Sequence, residues 1–162
     1  MTVRRSRVCC LAVLTSTAIA AGPLKAVDAD SGAPIYAEHC ATCHDVAGTG
    51  IAGFGPPLAG PAAARLKAPG GREYLAQVVV DGIAGVFELG GQRQFVAMPP
   101  NATLADDQLA AALNHVLRIQ NANALPADFA PIAPAEIAAA RAVSRTPRDL
   151  HRTKQELERA AK

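Results

Sequence analysis

Tryptophan is absent from this 162-residue chain, and only two tyrosines and four phenylalanines make up its aromatic content. Aromatic side chains supply the largest buried areas of any residue type, so a core this poor in them leaves room for a bulky apolar cofactor. Charge is also sparse at 19%, while half of the residues are hydrophobic, with 13 glycines and 12 prolines. That balance excludes a disordered or collagen-like chain and fits one ordinary domain with appendages. Long apolar runs are missing too. The uncharged run at the N-terminus from Val8 to Ala21, before Gly22 and Pro23, falls short of the roughly 20 residues that a spanning helix needs.

The formal charge of +2 is unevenly distributed. Residues 1–20 carry Arg4, Arg5 and Arg7 and no acid; residues 21–134 carry six bases against ten acids; residues 135–162 carry seven bases against four acids. Without its first 20 residues the chain is close to neutral, which argues against a nucleic-acid partner. Three arginines, an uncharged stretch and the small-residue triplet Ala18-Ile19-Ala20 read as a secretory signal peptide over residues 1–20. Val3 before the arginine pair argues against a twin-arginine signal. Cleavage leaves no membrane span and a periplasmic location. It also removes Cys9 and Cys10, so two of the four cysteines remain, Cys40 and Cys43.

Those two stand in Cys40-Ala-Thr-Cys-His44, the CxxCH spacing of covalent c-type haem attachment. One helical turn places Cys40, Cys43 and His44 on a common face, so two thiols can bond two vinyl groups while the imidazole reaches iron. A structural zinc site wants a second ligand pair, which is missing. A thioredoxin-type CxxC wants a surrounding βαβ pattern, also missing. One covalent haem c is therefore the expected cofactor. For the other face of the iron, Met98 is the candidate: with Met1 lost, it is the last thioether, and the prolines of Met98-Pro99-Pro100 fix the backbone beside it. His115 competes but lies in mid-helix beside an apolar stripe. His39 is tied to Cys40 and cannot reach the far face, and His151 sits in a polar tail and reads as a solvated side chain.

CATCH, Gly55-Pro56-Pro57-Leu58, Met98-Pro99-Pro100 and the helix with Leu113-Asn-His-Val-Leu117 together resemble a class I c-type cytochrome over residues 33–121. The resemblance implies that a proline carbonyl orients the proximal histidine, with Pro56 or Pro57 as the acceptor. It further implies a mono-haem, His/Met-ligated carrier, similar to the cytochrome subunits of periplasmic dehydrogenases. His115 departs from the family, in which tyrosine often stands where the first and last helices cross.

The fold class expected is all-α, a small helical domain around the haem with a C-terminal helical extension at 122–162. Periodicity predicts helices from about Pro34 to His44, from Gly71 to Asp81 with Leu75, Val78 and Val79 buried, and from Thr103 or Asp106 onward. Between them lie a glycine-rich loop, Gly48 to Gly60, suited to close approach of backbone to a porphyrin edge, and a hairpin around Gly90 and Gly91. The extension reads as two short helices, 135–143 and 147–161, with Ile137, Val143, Leu150 and Leu157 as a thin apolar edge that docks on its own domain or on a partner. The expected function is single-electron transfer from a periplasmic redox enzyme to a cytochrome or terminal oxidase, with no catalytic residue. A haem enzyme or gas sensor with a displaceable Met98 is the alternative.

Overall fold

The computed structural model describes residues 31–160. The signal-peptide reading, Cys9 and Cys10 lie outside the described residues. Helices α1 (Gly32–His39) and α2 (Ala41–His44) replace the single expected helix, because Cys40 adopts φ −120°, outside the helical range. Helical hydrogen bonding nonetheless bridges the break, with the Cys43 and His44 amides donating to the Cys40 carbonyl at 3.1 and 3.0 Å. Helix α3 (Pro61–Leu66), unexpected from the sequence, follows the glycine loop. Pro61 supplies a preset first-turn φ, and the Asn121 side-chain oxygen accepts the Gly60 amide at 2.6 Å, meeting one of the donors that a helix start leaves open.

Helix α4 (Gly71–Asp81) has the expected bounds. Leu75 is buried, whereas Val78 and Val79 are only half-buried because they face a cavity. A hairpin follows, β1 (Ile83–Leu89) paired antiparallel with β2 (Gln92–Met98) in the register Ile83↔Met98 to Leu89↔Gln92. Gly90 and Gly91 turn it with φ of +60° and +78°, the signs a two-residue hairpin turn demands. The hairpin is longer than its glycine signal suggested and runs directly into Met98, so the molecule is helical with one two-stranded sheet, and all-α describes it only in part.

Helix α5 (Asp106–Arg118) starts at the later of the two expected positions, with Ala105 rather than Thr103 as its cap residue. Gln108 reaches back to accept the Ala105 amide at 2.9 Å, and Asp106 and Asp107 set negative charge against the positive end of the helix. Its buried face packs closely on α1. A Cβ on Gly32 would lie 2.0 Å from the Ala111 carbonyl oxygen, so only glycine permits this crossing. Tyr36 and His115 meet there with ring centroids 5.3 Å apart, so the histidine fills the place where tyrosine is common.

Helices α6 (Pro134–Ala142) and α7 (Pro147–Ala160) follow a single 3₁₀ turn at Ala122–Ala124. Both pack on the rest of the chain: α6 on α4 and α5, α7 on β1 and α4. Ile132, Ile137 and Leu150 join the same apolar cluster as Leu75, Leu113 and Leu117. Val143 is 55% exposed and does not share in the expected apolar edge. Thr146 caps α7, its hydroxyl oxygen accepting the Asp149 amide at 3.2 Å.

Candidate haem site

Two clefts, both partly open to solvent, share Cys40, His44, Met98 and Asn101 in their linings. The first is almost wholly apolar, walled by Leu58 after the glycine loop, Leu75, Val78 and Val79 of α4, and Leu109, Leu113 and Val116 of α5. The second is bounded by Cys43, Phe54, Pro56, Ala97 and Pro99. Together they make a cleft that runs from an apolar interior to a mouth beside the two thiols.

Each site residue is delivered by a local feature of the chain. The turn at Cys40 and α2 carry Cys40, Cys43 and His44 on successive bonded positions. Gly55 lets the following proline turn press against that helix, since a Cβ there would lie 2.0 Å from the Cys43 carbonyl oxygen. The glycine thus serves a backbone–backbone approach. His44 Nδ1 then lies 2.8 Å from the Pro56 carbonyl oxygen. A carbonyl can only accept, so Nδ1 carries the hydrogen and Nε2 keeps its lone pair for the cavity. Between the two adjacent prolines, Pro56 is the one bonded to the imidazole. Burial also lowers the His44 pKa, with the Pro56 bond working in the opposite direction.

Cys40 and Cys43 form no disulfide with each other, and burial would push a Cys40 thiol up to about 11, with the neighbouring Cys43 adding to the rise. Redox-active CxxC pairs need a lowered thiol pKa, so this environment argues against disulfide exchange. Met98 ends β2 and reaches both cavities. Behind it, the Asn101 amide donates to the Val80 carbonyl at 3.1 Å and its side-chain Nδ2 to the Val79 carbonyl at 2.8 Å, pinning the Met-Pro-Pro segment to α4. The sequence reading did not single out Asn101; a polar residue closing a rigid proline segment was the available signal.

The other histidines lie apart from this set in different ways. His39 lines the outer cavity beside Cys40, and His115 packs on Tyr36. His151 is not a free polar side chain: its Nε2 bonds the Val86 carbonyl at 2.9 Å and its ring meets Phe87 edge-on. Among the described residues, no group of three or more histidine, cysteine or acidic side chains forms a separate metal cluster.

The donor set fits a haem: two thiols one helical turn apart, an imidazole with one nitrogen committed to a carbonyl, as metal-bound histidines commonly have, a thioether, and an apolar cleft between them. Comparison with known proteins agrees. The family model described as cytochrome C oxidase, cbb3-type, subunit III matches residues 27–116. A cytochrome c-552 of Thermus thermophilus is 40% identical over 129 residues, covering 80% of this chain and 86% of that protein. Another cytochrome c-552 from the same species is 40% identical over 119 residues, covering 74% and 90%. The chain therefore belongs to the class I c-type cytochromes, electron-transfer proteins with covalently bound haem c.

Proposed function

We propose that this cytochrome works in the periplasm, taking single electrons from a dehydrogenase and passing them to another cytochrome or a terminal oxidase. In this reading Cys40 and Cys43 hold the haem through thioether bonds, His44 is the proximal ligand oriented by Pro56, and Met98 is the distal ligand. Residues 33–121 form the haem domain, and 122–162 is an extension that backs it. The bound haem supplies a one-electron iron couple, whose ferrous form a soft thioether favours. The chain's own residues fix both axial donors and keep water from the apolar side of the cleft. With both axial positions filled, no vacancy remains for a substrate, which suits a carrier.

The observation that carries this reading is the meeting of His44 and Met98 at one cleft, with His44 Nδ1 tied to Pro56 at 2.8 Å. The periplasmic assignment draws on the signal-like residues 1–20. Among the described residues, no helix is long and apolar enough to cross a membrane. Partnership with a dehydrogenase, as its dedicated haem subunit, draws support from the surplus of three positive charges on the 28 C-terminal residues, which offers a charged surface to a partner.

Met98→Ala tests the ligand assignment. The reduced wild type should ignore CO at neutral pH and its oxidised form should show the far-red Met-to-iron band. The variant should lose the band, bind CO and have a lower potential. A wild type that binds CO would instead indicate a haem enzyme or gas sensor with a displaceable Met98.

A further inference from the structure

We propose that His151, on the C-terminal helix, is a positioning residue for the strand that presents Met98 to the haem. The inference rests on the ligand reading above. Strand β2 is exposed along most of its length, with Phe95 64% exposed. Among the described helices and strands it packs extensively on β1 alone, with Val96 and Met98 also reaching the core cluster. Its course therefore follows β1 through the ladder, in which Ile83 faces Met98 and Val86 faces Phe95, while the Asn101 bonds to α4 hold the segment just beyond Met98.

β1 in turn is held from behind by α7. The His151 ring lies against Gly85, where a Cβ would come within 2.3 Å of it. Its Nε2 donates to the Val86 carbonyl at 2.9 Å, and its face meets the Phe87 ring edge-on at 5.1 Å. Lys154, one turn further along α7, sits 5.1 Å above the same Phe87 ring. Because a carbonyl accepts only, Nε2 donates in the neutral and the charged imidazole alike, so the contact is a fixed clasp. At the far end of the ladder, a Cβ on Gly82 would lie 2.3 Å from the Met98 carbonyl oxygen, so the strand end has no slack against the end of α4. A loosened clasp on β1 is thus transmitted to Met98 through rigid backbone pairing.

The test compares His151→Ala, His151→Gln and the control Ile137→Ala in the full-length holoprotein, following the far-red band during heating, global unfolding by circular dichroism, and CO association with the reduced form. Ile137 is fully buried in α6, whose extensive packing is on α4 and α5, so its loss lowers stability without releasing the His151 clasp. His151→Ala should lose the band well before it unfolds and bind CO about tenfold faster than wild type, the scale expected from losing a hydrogen bond and its packing. His151→Gln, which keeps a donor, should recover much of this. The control should lose band and fold together. If band loss and unfolding also coincide in His151→Ala, and CO binds no faster than in the control, the proposal is overturned. A wild type without the band would instead defeat the Met98 reading beneath it.

Discussion

Buried polar side chains are few among the described residues, and each is placed to satisfy backbone groups that the fold would otherwise strand. Asn114 is fully buried; its Nδ2 donates to the Ile132 carbonyl at 2.9 Å and its Oδ1 accepts the Ile132 amide at 2.8 Å. Asn114→Ala leaves both Ile132 groups unpaired in an apolar setting. Urea unfolding of the holoprotein should show a loss of about 2–3 kcal/mol, and a loss near zero would mean that the tail finds another seat. The site residues divide by how local their chemistry is. Cys40, Cys43 and His44 are legible because their spacing alone sets the helical turn that gathers them. Pro56 and Pro57 offer identical carbonyls, and only the fold of the glycine turn decides between them. His151 looks like a solvated tail residue in sequence because its partners, Gly85 and Val86, lie far back along the chain, the latter 65 positions away.

Among the elements, α4 and α5 follow from their apolar periodicity, and α7 from its Thr146 cap and first-position Pro147. The break at Cys40 and the short α3 do not, and α3 depends on a tertiary contact, Asn121 reaching the Gly60 amide. Val78 and Val79 illustrate a further limit: periodicity marks them as core, yet their neighbour is the cleft. A charged pair that sequence could not assign ties α4 to the start of α6. Arg72 Nη2 donates to Glu136 at 2.8 Å and to the Pro131 carbonyl at 2.8 Å. That guanidinium holds the Glu136 carboxyl below its ordinary value, against an opposing push from burial. A carboxylate with a depressed folded pKa contributes fully above its unfolded value, about 4.3, and loses the contribution as pH falls through the native one. The stability advantage of wild type over Glu136→Gln should therefore be constant near neutrality and vanish in acid. Parallel curves over the whole range would show that the pair does not stabilise the fold.

Viewed as a whole, the molecule is a haem cleft with a second layer behind it. The α4 and α5 faces that carry Leu75, Val78, Leu109 and Leu113 line the cleft, while α6 packs on both helices from another side and α7 on α4 and β1. This layering suits a core with so few aromatic residues: the cleft leaves room for the prosthetic group at the front, and the tail closes the back. The central claim concerns what the iron sees, and iron-edge X-ray absorption of the purified holoprotein in both oxidation states measures it most directly. One sulfur and five nitrogen neighbours, with the sulfur lost in Met98→Ala, are predicted; six nitrogens, or five neighbours with no sulfur in the wild type, would contradict the account.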